Sequence, residues 1–539
     1  MANQSVNQLA KNAENLSSDY DNAYTPSSND GLDLITTALG YDPSLPNFTY
    51  SKGGEDIFLG NQGDFAVYDS NWAGYRRQRD IGTGGNEYPC NQFIVARTAT
   101  MTFYALRDST TIYKNGTSTA TISTAGGSTS FSCTAGDLIG VTRPVGIRSD
   151  RYDPGAAYMG WQGFGFAHRQ DRYSGTTLFV YAPYSSTNVQ LLYTTTDGYV
   201  TSLTSQATTT LSGATWTQSM STTRNYYLAA NKPIIAYAYN TDGGSGMEDT
   251  LPLYPMDQDT KYGAFSSGGH IAITNNLTQK RAGSTTTQQI LVRSSDGTSS
   301  TDVNQISAAE SAHTDTSPGK TSASLFQGPV QKVQSGNNNL FTCQQQADSN
   351  GGEMTPFVSK QAFGKALILT ATADWCTVIG ESAMTVYRRD SSGRVVVSQT
   401  MTGTATYSLY FTRFTSLSAG DVIESDNYMI GYYDANTSLD DERVAIMSDA
   451  KMEITYTTAN VSGPYGDPGE PCGEGPGDPS PFTTYFVNSF AVDKAAYTDS
   501  ACTSDLADGF YYNHATNQSF SYTAYRGSAG EGIQDIANC

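Results

Sequence analysis

The sequence predicts an all-β protein made of several antiparallel β-sandwich domains of the jelly-roll type. Short runs that alternate polar and apolar residues recur along the chain, and turn residues separate them at the spacing of roughly 8–12 residues that is typical of sandwiches. Helical periodicity is hard to find in the middle of the chain. The composition agrees, because 36 tyrosines outnumber the 31 lysines and arginines together, and aromatic and hydroxyl side chains suit strands.

Charge and hydropathy exclude several classes of partner. The chain of 539 residues carries a formal charge of −20, whereas a nucleic-acid-binding protein needs a basic face. Docking on anionic lipid is disfavoured for the same reason. No apolar run reaches the roughly 20 residues of a membrane span, so we expect no membrane insertion. The N-terminus lacks a basic start followed by an apolar core, and no secretory signal is expected.

The clearest strand signals lie between residues 93 and 122. Two alternating runs there are separated by Asn115-Gly116, and this dipeptide favours a hairpin because both turn positions need positive φ. Further strands are predicted at residues 176–183 and in the apolar run that ends near Asn240.

Two sequence matches predict that the first sandwich is duplicated. Met101-Thr102 matches Met384-Thr385, and Ala135-Gly136-Asp137 matches Ala419-Gly420-Asp421, at offsets of 283 and 284 residues. The Gly-Asp pair is interpreted as the turn into a buried strand, with an architectural role. Convergent strand-and-turn composition is the alternative explanation. A third echo, residues 208–240, is fainter.

Composition shifts divide the chain into seven segments. The Gly- and Pro-rich stretch VSGPYGDPGEPCGEGPGDPSP is the clearest boundary, and it predicts an extended spacer. The predicted segments are a polar N-terminal arm (1–55), a first sandwich (56–150), a second sandwich (151–293), a polar linker or loop (294–340), a copy of the first sandwich (341–460), the spacer (461–481) and a small C-terminal β module (482–539).

The sequence offers little for catalysis, and we predict no enzyme activity and no cofactor. No phosphate loop, dinucleotide fingerprint or nucleophile elbow is present. His168, near Asp171, is the best candidate base, but a His followed by Arg, Gln and Asp is more often a hydrogen-bonding corner, which is the favoured interpretation. We predict no metal site; the stretch with Asp434, Asn436 and Asp440 is interpreted as a solvated loop, and the alternative is a calcium site, since calcium prefers several oxygen ligands from one loop.

The seven cysteines lack the spacing of a zinc or redox motif. They are interpreted as buried free thiols, and the alternative for one pair is a disulfide between Cys502 and Cys539. Trp161 stands among glycines and aromatic residues and predicts either a core position or an interface. Tyr511 and Tyr512 are the candidates for interface or recognition in the C-terminal module.

The C-terminal module carries a family resemblance. Its segments 496–502 (AYTDSAC) and 506–512 (LADGFYY), then Gly532-Ile533 and the closing Cys539, resemble a small terminal domain of structural and fibre-like virion proteins of tailed phages. The remaining chain is similar in style to the acidic, Thr- and Tyr-rich structural proteins of marine cyanophages. The resemblance implies a non-enzymatic, homo-oligomeric appendage protein located in the virion, such as a fibre, whisker or head or tail decoration.

Such a protein would bind copies of itself and other virion or surface proteins, and its outward module would contact host glycans or cap the fibre. Two other functions remain open at this point. One is a bacterial extracellular filament subunit or adhesin, which would need an export route. The other is a virion polysaccharide depolymerase, for which no pair of carboxylates stands out in the sequence.

Overall fold

Antiparallel strands make up most of the protein, as the sequence predicts. In the computed structural model, 69 % of the described residues are in strands and 1 % in helix, against an average strand content of about 20–25 %. The structure describes residues 47–52, 55–61, 91–95, 98–150, 163–170, 176–182, 185–194, 204–221, 224–241, 248–253, 260–264, 270–275, 288–294, 299–300, 305–306, 312–315, 330–335, 341–346, 354–435, 441–445, 447–454, 456–465, 481–487, 496–498, 506–513, 515–516, 518–523 and 532–538.

The described part of the chain opens on a two-stranded hairpin that crosses a predicted boundary. Strand β1 (Asn47–Lys52) pairs antiparallel with β2 (Glu55–Asn61). The predicted limit between a polar arm and the first sandwich, at residue 55, is therefore wrong, because hydrogen bonds join the residues on its two sides.

Repeat I is the first sandwich, and its two sheets have the orders β3-β8-β5-β6 and β7-β4-β9. We name the strand positions a to h, so that the sheets read a-f-c-d and e-b-g. Asn115 and Gly116 have φ values of 51° and 80°, which confirms the predicted hairpin between strands c and d. The strands are β3 (Asn91–Ile94), β4 (Ala99–Ala105), β5 (Thr110–Lys114), β6 (Thr117–Ile122), β7 (Ser128–Cys133), β8 (Leu138–Val141) and β9 (Val145–Ser149).

Repeat IV repeats this topology and confirms the predicted duplication. Its sheets contain the orders β27-β33-β29-β30 and β32-β28-β33-β34, which are a-f-c-d and e-b-g-h with strands f and g fused in β33. A strand that passes from one sheet to the other forms a corner of the sandwich. The strands are β27 (Gly364–Ile368), β28 (Ala373–Gly380), β29 (Thr385–Arg389), β30 (Val395–Thr400), β31 (Thr402–Thr404), β32 (Leu409–Leu417), β33 (Val422–Ala435) and β34 (Asp441–Val444).

Repeat II has the same order of strands as repeats I and IV. Strand β15 serves as both f and g, pairing with β10 and β12 through its first half and with β11 and β16 through its second half. Its own core contains Val180, Leu191 and Ala236. The strands are β10 (Gly163–Gln170), β11 (Thr177–Ala182), β12 (Thr187–Thr194), β13 (Thr204–Leu211), β14 (Ala214–Ser219), β15 (Arg224–Thr241) and β16 (Glu248–Pro252).

Repeat III is a fourth sandwich that the sequence analysis missed. Its sheets, β17-β23-β19-β20 and β22-β18-β24-β25, again read a-f-c-d and e-b-g-h. The predicted linker at 294–340 is therefore wrong, since β20 to β23 lie within it. The strands are β17 (Lys261–Gly263), β18 (His270–Asn275), β19 (Gln288–Ser294), β20 (Ser299–Ser300), β21 (Gln305–Ile306), β22 (Ala312–Asp315), β23 (Gln331–Ser335), β24 (Phe341–Gln346), β25 (Met354–Pro356) and β26 (Val358–Ser359). A single 3-10 turn, Lys360–Ala362, leads into repeat IV.

Repeat III also moves two predicted boundaries. The second sandwich does not extend to residue 293, because strands β17 to β19 belong to repeat III. The copy of the first sandwich does not begin at residue 341, because β24 and β25 pair within repeat III.

The C-terminal module is a six-stranded antiparallel sheet that begins earlier than predicted, and it is not the simple meander that the sequence predicts, because the chain crosses over from β37 at one edge to place β38 beside β35. Its order is β37-β36-β35-β38-β39-β40, and Val461 of β35 lies in its core. Residues 461–465 are thus part of the module and not of a spacer; the spacer's residues 466–480 lie outside the described ranges. The strands are β35 (Tyr456–Tyr465), β36 (Phe482–Val487), β37 (Ala496–Tyr497), β38 (Gly509–Asn513), β39 (Gln518–Thr523) and β40 (Gly532–Asn538).

Candidate functional site: the contacts within and between repeats

The Gly-Asp turns of repeats I and IV share one set of hydrogen bonds. Asp137 forms an ion pair with Lys114 at 3.1 Å and accepts from the Thr134 amide at 2.7 Å. At the matching place in repeat IV, Asp421 pairs with Arg388 at 2.8 Å and accepts from the Ser418 amide at 2.9 Å. Each aspartate thus ties strand c to the e–f turn, which confirms the architectural role predicted for it.

Glycine makes both turns possible. Gly136 and Gly420 each have φ of 89°, in the region that other residues rarely adopt. The Met-Thr match, by contrast, was wrong. Met101-Thr102 lie in strand b of repeat I, whereas Thr385 begins strand c of repeat IV.

A buried ion pair holds the interior of repeat IV. Arg389 Nε lies 2.7 Å from Glu424 Oε1, and the two side chains are 0 % and 1 % exposed. Arg389 also donates to the Gly393 carbonyl at 3.0 Å, and Glu424 Oε2 accepts from the Met452 amide at 3.0 Å. Because a buried charge is tolerated only when it is paired and hydrogen-bonded, these contacts fix β29, β33 and the following segment to one another.

Repeat I packs directly on repeat IV, although the whole of repeats II and III lies between them in the sequence. A cluster of buried apolar side chains joins Leu106 of repeat I to Ile368, Val422 and Met452. Two glycines permit the close approach: a Cβ atom at Gly126 would lie 1.9 Å from the Ser391 carbonyl oxygen, and one at Gly146 would lie 2.7 Å from Ile368 Cγ2.

Hydrogen bonds from the segment 447–454 stabilise this contact. Glu453 Oε2 accepts from Arg143 Nη1 at 2.8 Å and from the Asp108 amide at 3.0 Å, and the Glu453 amide donates to the Leu106 carbonyl at 2.9 Å. At its other end the Ser448 amide donates to Ala366 of strand β27. One short segment therefore hydrogen-bonds to both repeats.

Repeats III and IV meet through tyrosines and a carboxylate. Tyr432 donates its hydroxyl to the Tyr262 carbonyl at 2.6 Å, and Tyr262 donates its own hydroxyl to Glu381. Lys360 lies 3.1 Å from Glu381 and Lys332 lies 4.0 Å from it. Burial opposes the ionisation of Glu381, but the hydrogen bonds from Tyr262 and Lys360 and the charges of both lysines outweigh it and lower its pKa. The Glu381 carboxylate therefore connects repeat IV to repeat III.

His168, the candidate base, lies beside the contact between repeats II and III. Its Nε2 is 2.8 Å from Gln170 Oε1, and it is 1 % exposed. Gln344 of repeat III donates to the neighbouring Arg169 carbonyl at 2.7 Å. Burial lowers the pKa of His168 to about 4. The side chain is a buried hydrogen-bonding group, as in the favoured interpretation; Asp171 lies outside the described residues.

Acidification should weaken this region through His168. The unfolded chain binds a proton near pH 6.5 and the folded chain only near pH 4, so stability falls as the pH drops below 6.5. At pH 5 the loss due to this group should be about 2 kcal/mol relative to pH 7.5. Urea unfolding of the protein and of His168→Gln at both pH values measures it; an equal loss in both proteins would contradict the assignment.

Three of the predicted free thiols are confirmed. Cys133, Cys343 and Cys376 are buried and unbonded, and burial raises the pKa of Cys133 to about 12 and those of the other two well above the ordinary value. Such thiols behave as small apolar groups. Cys502 and Cys539, the predicted disulfide pair, lie outside the described residues.

Tyr511, one of the two recognition candidates, lies in a core and not on a surface. It is 0 % exposed in the core of the C-terminal module, stacks on Phe520 at 5.4 Å and donates its hydroxyl to the Ala507 carbonyl. The alternation of β38 points Tyr511 inward, and its half-buried neighbour Tyr512 stays a candidate. Trp161 lies outside the described residues.

The calcium alternative stays untested. Asp434 lies at the end of β33 beside Glu442 of β34, while Asn436 and Asp440 lie outside the described residues. Across the part of the chain that the structure describes, no three His, Cys, Asp or Glu side chains come together as a metal site. In that same part, no helix has the length and apolar character needed to span a membrane.

No protein-family model matches the chain, and a search of curated proteins returns no significant match.

Proposed function

We propose that this chain is a non-enzymatic structural protein of a phage particle appendage, a fibre, whisker or head or tail decoration, that assembles with its own copies. The observation that carries the proposal is the tandem repetition of one sandwich whose ionised side chains join strands and repeats. The pairs Arg389–Glu424 and Arg388–Asp421 act within a repeat, and Arg143–Glu453 acts between repeats. Such use of charge suits mechanical cohesion.

The outward faces support an assembling role. Strands β13 and β14 alternate exposed hydroxyl side chains, such as Thr208, Thr215 and Thr217, with half-buried or buried ones. Hydroxyl groups donate and accept hydrogen bonds, and their burial costs far less than that of charged side chains, which suits contacts between identical subunits or with glycans. The C-terminal module, which carries the family resemblance, would face host glycans or cap the appendage, with Tyr512 as the candidate contact.

Self-association is the direct test. Sedimentation of the full chain at micromolar concentration should show species larger than the 57.8 kDa monomer, with closed or filamentous symmetry in electron micrographs. Antibodies against the β13–β14 turn should label the periphery of the particle that contains the protein. A strictly monomeric protein, with no particle labelled, would contradict the proposal.

A further inference from the structure

The three contacts between repeats have the same polarity. In each, strand a of one repeat lies on the outer face of strands b and g of the next. The backbone carbonyl of Arg169, in strand a of repeat II, accepts a hydrogen bond from the Gln344 side chain of strand g in repeat III. The backbone carbonyl of Tyr262, in strand a of repeat III, accepts one from the Tyr432 hydroxyl of strand g in repeat IV. Repeat IV contacts repeat I in the same way, because Ile368 of strand a in repeat IV lies against Gly146 of strand g in repeat I.

One outer b–g face remains, that of repeat II, and it too is buried. Val180 and Ala236 point into the core of repeat II, so alternation directs their neighbours to the opposite face. Those neighbours are nevertheless covered: Phe179 is 6 %, Tyr181 2 %, Ile235 2 % and Tyr237 0 % exposed. Phe179 stacks on Tyr237 at 4.8 Å.

The cover stops at the edge of this face. Thr215 and Thr217 of β14 pair with Tyr181 and Phe179 and share their face, yet both are exposed. The buried area is therefore confined to strands b and g, as in repeat IV, where Tyr432 is covered by repeat III. Because the burial exists within one chain, the cover is a segment of this chain.

The geometry points to a closed ring of the four repeats, in which strand a of repeat I covers the outer b–g face of repeat II. In the other three contacts, taken in the order II, III, IV, I, strand a of the preceding repeat covers the b–g face of the repeat that follows it. Repeat I precedes repeat II, so the same arrangement assigns strand a of repeat I to this face. Register places Phe93 of β3 at the equivalent of Arg169 and Tyr262, since each pairs with the second residue of strand f. The backbone around Phe93 is thus the segment nearest Tyr237.

Closure has a consequence for assembly. In a ring, strand a of each repeat covers the b–g face of the next repeat, so no b–g face remains for another molecule to bind. Contacts between copies would then use the other strands, including the threonine-bearing β13 and β14. The ring itself concerns one chain and holds whether or not the chain serves in a phage particle.

Photo-crosslinking in the full chain tests the ring. The variant Tyr237→p-azidophenylalanine, irradiated and digested, should join to peptides that contain residues 91–105. The matched control Tyr432→p-azidophenylalanine should join to peptides that contain Tyr262 or Pro356, its observed neighbours. Crosslinks from position 237 to residues before 91, to the loops of repeat II, to repeat III or to a second chain would overturn the ring.

Hydrogen exchange gives a second measurement that does not depend on the azide being accommodated. Tyr237→Ala should raise the exchange rate of the β3 amides, about tenfold or more, and leave β6 of repeat I unchanged. Thr217→Ala, on the same face but exposed, should change neither. Unchanged β3 exchange in Tyr237→Ala would also overturn the ring.

Discussion

Arg389→Met should lower the free energy of unfolding of repeat IV by about 3–5 kcal/mol, because it leaves Glu424 buried without its cation. Methionine keeps much of the apolar length of the arginine side chain, so the loss reports mainly on charge. Glu424 would retain the Met452 amide as a donor, which cannot neutralise a carboxylate. Hydrogen-exchange mass spectrometry should show faster exchange in β29 and β33, the two strands that the pair joins.

The turn that follows β29 supplies a matched control. Arg394 pairs with Asp390 at 3.1 Å, but the two side chains are 21 % and 25 % exposed, so Arg394→Met should cost about 1 kcal/mol or less. The double variant Arg389→Met/Glu424→Met should recover most of the stability, since replacing a buried pair by apolar groups is often neutral. Equal losses for Arg389→Met and Arg394→Met would show that burial of the pair contributes nothing.

The local features of the fold were predictable because they depend on local chemistry. Asn115-Gly116 gives a hairpin wherever two alternating runs flank it, and Ala-Gly-Asp gives a turn whose aspartate caps neighbouring amides. The β structure of the C-terminal module was predictable for the same reason, but the crossover that places β38 beside β35 was not. Each feature is specified by residues a few positions apart, so one sequence suffices to find it.

The number of repeats was not predictable, since a sandwich core asks only for apolar residues at alternate positions. Repeat III shows the difficulty. In β23, Val333 is the one aliphatic side chain, while Gln331 and Lys332 are also buried, Lys332 in a contact with repeat IV. A strand whose polar residues are buried by other repeats shows no alternation, so it was mistaken for a linker.

The contacts between repeats carry no sequence signal at all. The packing of repeat I on repeat IV joins residues such as Leu106 and Met452, and neither stands out from other apolar residues. The same holds within repeat IV, where Arg389 and Glu424 are 35 residues apart in the sequence. Strand pairing in three dimensions is needed to show that they meet.

Gly126→Ala should detach repeat I from repeat IV. The added methyl group would lie 1.9 Å from the Ser391 carbonyl oxygen, and backbone cannot move aside as a flexible side chain can. Alanine at φ of +77° adds strain of about 1–2 kcal/mol, and overpacking adds about 1–3 kcal/mol. The total loss should be about 2–5 kcal/mol, with faster hydrogen exchange at residues 388–394 and in β27.

Gly213→Ala separates the two causes. Gly213 also has positive φ, +58°, but nothing lies within 4 Å of its Cβ position, so only the strain of about 1–2 kcal/mol remains. Exchange in repeat IV should stay unchanged in this variant. Suppose that Gly126→Ala lowers the free energy of unfolding no more than Gly213→Ala does and leaves β27 protected from exchange. The approach of repeat I to the Ser391 turn would then be looser than described. The hydrogen bonds of Glu453 would have to hold the two repeats together without that close contact.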